Sequence, residues 1–121
     1  MPDTVDAVNG DDAGVVRAAL FEGANGPLWA TASADLNVTL LAWDEGRGTP
    51  EHVNREADVL VVCLAGSGTV SVGGRDERVG AGDLVLVERG RRRRITAGRD
   101  GIRYLSVHRR RPPLAIRPLE R

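Results

Sequence analysis

From residue 13 onward the chain is written in short apolar strings, each broken after a few residues by glycine-rich turns. The strings are "PLWATA" (27–32), "LNVTLLAW" (36–43), "DVLVVCLA" (58–65), "GTVSVGG" (68–74), "DLVLVE" (83–88), "RRRITA" (92–97) and "IRYLSVHRR" (102–110). They are rich in Val, Leu, Ile and Thr, whose branched side chains suit a pleated surface. Between them lie "DEGRG", "GSG", "ERG" and "AGRDG", read as turns, and "GGRDERVGAGD", read as a two-glycine hairpin, a short strand and then Gly-Asp. "VVRAALF" (15–21) fits either a strand or a single helical turn. No stretch keeps a helical period over ten or more residues, so the pattern predicts an all-β sandwich or barrel. Residues 1–12 are acidic and aperiodic and read as a flexible arm. Residues 13–112 form the β-domain. Residues 113–121 form an extended, proline-rich tail that Leu114 and Ile116 would pack along an edge.

At 121 residues the chain has room for one modest core. Its single cysteine, Cys63, lies inside an apolar string; this excludes an intramolecular disulfide and any multi-cysteine zinc site. A buried structural thiol in a reducing cytoplasm is the expectation. No segment approaches the ~20 apolar residues of a membrane span, and the N-terminus is acidic where a signal peptide is basic. A soluble, cytoplasmic protein without a membrane partner follows. The net charge is zero but segregated: residues 1–60 hold eleven acids and three arginines, residues 89–121 twelve arginines and two acids. Nucleic acid is not expected as a partner, because the chain is neutral overall and Tyr104 is the one stacking aromatic in the basic third. Open sheet edges and an acidic half facing a basic half point to a homodimer.

The glycine spacing around residues 46–93 carries a resemblance. Gly46 precedes His52-Val53-Asn54 and then Gly66; Gly82 precedes "DLVLV", Glu88-Arg89-Gly90 and then Arg93. This is similar to the two motifs of the cupin superfamily, and the resemblance runs over about residues 27–109. It implies a single jelly-roll β-barrel. In metal-binding cupins, two histidines and a glutamate of the first motif join one histidine of the second around a divalent metal. Of these, His52 is retained, Asn54 stands at the second histidine and Arg93 at the motif-two histidine. The glutamate position falls on Asp58 or Val59 according to the end from which the motif is counted. Those two side chains point to opposite faces of a strand; counting back from Gly66 puts Val59 inside and Asp58 at the lip.

Arg93 shares its strand face with Ile95 and so is expected to point inward. A buried guanidinium needs an acceptor, either an internal carboxylate (Glu56 or Asp58) or the acid group of a bound ligand. The first functional expectation is a non-catalytic barrel that binds a small organic acid through His52, Asn54 and Arg93, without a metal. The alternative is a metal-dependent enzyme of the oxygenase or isomerase type. It would use His52, Asp58 or Glu56, and His108 around one Fe, Mn, Ni or Zn ion. Against it, Leu105 and Val107 read as the core face of the last strand, turning Tyr104, Ser106 and His108 outward or toward a neighbouring sheet. A third reading is a structural or partner-binding barrel.

Overall fold

The structure, a computed structural model, describes residues 14–110. The expectations for the arm (1–12) and the tail (113–121) lie outside the described residues. The ambiguous "VVRAALF" stretch contains a single 3-10 turn, Ala18–Leu20. Seven strands follow: β1 (Gly26–Ala32), β2 (Leu36–Trp43), β3 (His52–Val53), β4 (Val59–Val72), β5 (Arg75–Gly80), β6 (Leu84–Val87) and β7 (Arg92–Arg109). They make one antiparallel sheet in the order β1-β2-β7-β4-β5, with β3 added to β7 and β6 to β4. The architecture is the all-β jelly roll.

Two stretches read as turns are not turns. "GSG" lies within β4, which runs unbroken for 14 residues, and "AGRDG" lies within β7, which runs for 18. The register shows why. Gly66 faces Ile102 while Gly68 faces Ala97, so Ser67 on β4 stands against residues 98–101 on β7. Extra residues on one strand bend both, as β-bulges do. The bend lets one strand serve two parts of the sheet: Val59–Val62 pair with β6, and Ser67–Val72 pair with β5. Gly66 and Gly101 sit at this corner with φ of 75° and 77°, a left-handed conformation that side chains resist. At Gly66 a Cβ would also run into the Gly101 carbonyl.

Alternation along β4 buries Val59, Val61 and Cys63 with Val70, and these meet Val79, Val87, Ile95, Ile102 and Tyr104 in the main core. The expectation that Leu105 and Val107 mark the core face of the last strand is corrected here. Tyr104 is the residue in the main core, at 1% exposure, while Leu105 packs on the opposite face against Phe21, Trp29 and Leu40. β7 is a central strand with apolar partners on both sides, so period-two alternation does not say which face is the interior. The segment covering the second face is pinned by Arg103, whose guanidinium donates to the carbonyls of Ala18 (2.9 Å) and Phe21 (2.6 Å). Among the described residues no helix is long and apolar enough to cross a membrane.

The corner predicts its own fragility. Gly66→Ala should cost at least about 2 kcal/mol, combining left-handed strain with the backbone clash. A thermal melt should show Tm lower by roughly 5 °C or more; an unchanged Tm would mean the bend does not depend on glycine.

Candidate functional site

The short strand β3 is held against the start of β7, with His52 opposite Arg93. Thr49 secures the approach to β3, its Oγ1 accepting from the Ile95 amide at 3.1 Å and its own amide donating to the Ile95 carbonyl. Between these segments and the core lies a cavity of about 240 Å³. Thr49, His52, Arg93, Tyr104 and Ser106 provide its polar lining, and Leu41, Pro50, Val61 and Ile95 its apolar lining. Strand β7 thus supplies both ends of the cup: Arg93 and Ile95 before the corner, Tyr104 and Ser106 after it.

Arg93 is half-buried, and its Nη1 is buried without a hydrogen-bond partner. Burial pushes its pKa down, with Tyr104 acting in the opposite direction; a guanidinium nevertheless stays protonated. Among the described residues Arg93 forms no ion pair, and Asp58 instead accepts from the Arg89 amide. Tyr104 accepts a hydrogen bond on its hydroxyl oxygen from Trp43 Nε1 at 3.0 Å. Burial raises the phenol's pKa, offset in part by that bond and by Arg93, so it stands as a neutral O–H donor. Tyr104 and Trp43 were not anticipated as site residues. No local signal marked them, because the pairing spans 61 residues of chain and strand parity put Tyr104 on the face opposite Leu105 and Val107.

The other expected residues lie around this cup rather than all within it. Asn54 belongs to an adjoining open cleft of about 400 Å³ that also receives His52, Glu56 and His108. Its Oδ1 accepts from the amides of Glu56 and Ala57, both at 3.0 Å, and its carbonyl accepts from Gly90. The side chain therefore closes a turn that leads into β4. Val59 is the inward residue, at 1% exposure, and Asp58 is exposed, with its Oδ1 accepting from the Arg89 amide at 2.9 Å. Asp58 borders a third depression beside Leu60 and Leu86, away from His52. His108 faces the open cleft, its Nδ1 3.0 Å from the Arg109 carbonyl.

Those placements bear on a metal. Of the four positions that match the cupin ligands, Val59 has no donor atom, Arg93 carries only hydrogens to give, and the Asn54 oxygen is engaged by two amides. Among the described residues no group of three or more His, Cys, Asp and Glu side chains could hold a metal ion. The residues at these positions do not fit the group that the fold accommodates elsewhere. Cys63 is no substitute ligand: it is buried in the core, and burial raises its thiol pKa.

The turn closed by Asn54 can be tested. Asn54→Ala should lose about 1–2 kcal/mol, since two backbone amides lose their acceptor. Asn54→Asp, which keeps the oxygen, should lose less. Urea denaturation of the pair measures the difference; equal losses would deny the side chain this role.

Residues 39–108 match the family model described as cupin domain. Among solved structures, KdgF from Halomonas sp. superposes with a TM-score of 0.67 at 17% identity, covering 78% of this chain and 90% of that one. A protein of Thermus thermophilus gives 0.72 at 19% identity, with 81% and 98% covered. A conserved protein with a double-stranded β-helix domain from Klebsiella pneumoniae gives 0.70 at 16%, with 78% and 88% covered. Identities this low speak for the fold alone. No protein of curated function matches the sequence. With the family model spanning both glycine-framed motifs and the jelly roll shared with these structures, the chain belongs to the cupin domain family.

Proposed function

We propose that this cupin is a non-catalytic barrel that binds a small organic acid in its cup, without a metal. The observation that carries the reading is Arg93: a cationic side chain points into a partly apolar cavity with a buried, unpartnered nitrogen. A donor in that position costs free energy until an acceptor meets it, and a carboxylate is the acceptor that the guanidinium fork fits best. His52, at the rim of the same cavity, supplies a further contact at the entrance. Asn54 acts at one remove, by shaping the turn next to the entrance. The reading of a metal-dependent enzyme draws on the open cleft, which gathers His52, Glu56 and His108. Asp58, its other carboxylate, borders a neighbouring depression that shares Glu56 and His108 with this cleft but not His52.

Assembly as a homodimer belongs to the same proposal. Leu36, Leu84 and Leu86 are exposed. Leu36 and Leu86 flank Leu60 and Val107 in a depression that also carries Asp58, Arg89 and Arg109. A second copy related by a two-fold axis would cover this apolar face and set acids against arginines at its rim. Light scattering should give a dimer mass for the wild type and a monomer mass for Leu86→Glu. A monomeric wild type at micromolar concentration would refute the dimer.

The ligand reading has two direct tests. Elemental analysis of protein purified without a chelating tag should find well under one metal per chain; stoichiometric metal that survives dialysis and disappears in His52→Ala would favour the enzyme reading. Calorimetric titration with a panel of small carboxylates should show binding that Arg93→Met weakens by roughly 10- to 100-fold, the loss of a charge-assisted hydrogen bond. The same variant should melt no lower than the wild type, because no internal carboxylate among the described residues is left unpaired. A large loss of stability together with no heat of binding would end the ligand reading.

A further inference from the structure

The hydrogens and lone pairs lining the cup are unequal in number, and that inequality restricts what it can hold. Arg93 donates only. Tyr104 has its oxygen engaged by the Trp43 indole, so its own proton is free to be donated, and no acceptor among the described residues takes it. Thr49 is in the same condition, with its oxygen accepting from the Ile95 amide. No Asp or Glu lines this cavity. Ser106 and His52 in the same lining can accept as well as donate. With Arg93, Tyr104 and Thr49 beside them donors predominate, which favours a ligand that brings acceptors and few hydrogens of its own. A sugar brings a hydroxyl hydrogen with almost every oxygen, and an amine brings a cation beside Arg93; both match this lining less well than an acid does.

Size and lining narrow the class further. The volume of about 240 Å³ corresponds to roughly eight water-sized groups. Leu41, Val61 and Ile95 supply an apolar surface for a short hydrocarbon tail. Arg93 and Tyr104, on the two arms of the bent β7, are placed to engage two neighbouring acceptors at the polar end. We infer that the cup selects a short 2-oxo monocarboxylic acid, with the carboxylate on Arg93, the 2-oxo oxygen on the Tyr104 hydroxyl and the tail against Leu41, Val61 and Ile95. The inference rests on the carboxylate reading above and adds a specificity-determining residue, Tyr104, with Trp43 as its positioning residue. The indole N–H holds the phenol oxygen from one side and so turns the phenol's hydrogen toward the cavity.

The experiment is calorimetric titration of the full chain with 2-oxobutyrate, butyrate and 2-aminobutyrate, acids of matched size. The wild type should bind 2-oxobutyrate roughly tenfold more tightly than butyrate, the value of one well-placed hydrogen bond. It should give no measurable heat with 2-aminobutyrate. Tyr104→Phe should bind 2-oxobutyrate and butyrate equally while keeping the wild-type affinity for butyrate. Trp43→Phe should narrow the preference in the same direction; it decides the point, together with the wild-type ligand series, if Tyr104→Phe does not fold. Equal affinity of the wild type for 2-oxobutyrate and butyrate would overturn this inference and leave the carboxylate reading standing. A 2-oxo preference that survives in Tyr104→Phe would also overturn it. Absence of binding by all three acids to the wild type would overturn both.

Discussion

The antiparallel pairing of β4 with β7 is the constraint on which the rest of the structure depends. Both strands are longer than a single flat sheet would use, and both bend where Gly66 and Gly68 meet the wide insert 98–101. Each strand therefore contributes to the barrel twice. β4 takes β6 along its first half and β5 along its second; β7 takes β2 after the corner and β3 before it. Core and cup come from the same bend. Without it, Arg93 and Tyr104, eleven positions apart on one extended strand, would lie far from each other.

Inside this frame the interior is apolar with one cationic intruder. The main core is built from Val, Ile, Ala, Cys and Tyr104, and its polar atoms are matched locally, as the Trp43–Tyr104 bond shows. Among the described residues two buried side-chain nitrogens lack a partner, Trp29 Nε1 in the second cluster and Arg93 Nη1 at the cup's wall. In a cupin that binds metal, this position faces the cation and must offer a lone pair. Here it offers hydrogens and positive charge in place of a lone pair. The change needs no alteration of the backbone, because the glycines that shape both motifs are retained at 46, 66, 82 and 90, each with positive φ. Fold and chemistry have separated at the level of a few inward side chains.

Much of the fold was legible in the chain because its determinants are local. Period-two strings of branched residues mark strands, and glycines at fixed spacing mark changes of direction. Parity along "RRRITA" correctly set Arg93 beside Ile95, and counting back from Gly66 correctly set Val59 inward and Asp58 at the surface. The limits were equally physical. A glycine run such as "GSG" permits a hairpin or a bend, and only the register with a distant strand chooses between them. Likewise "IRYLSVHRR" carries apolar side chains on both faces, and the covering segment fastened by Arg103 determines which face is outside.

By itself, then, the sequence determined the all-β class, the jelly-roll motifs, the inward direction of Arg93 and the loss of imidazole at positions 54 and 93. Each follows from residue type and near-neighbour spacing. Tertiary structure decided what those residues meet. Asn54 proved to spend its side-chain oxygen on its own turn, Asp58 turned to the outer surface, and Tyr104 arrived beside Arg93 with its oxygen already engaged by Trp43. Partners separated by tens of residues are set by where bent strands cross, and that information is carried by the whole sheet rather than by any segment of it.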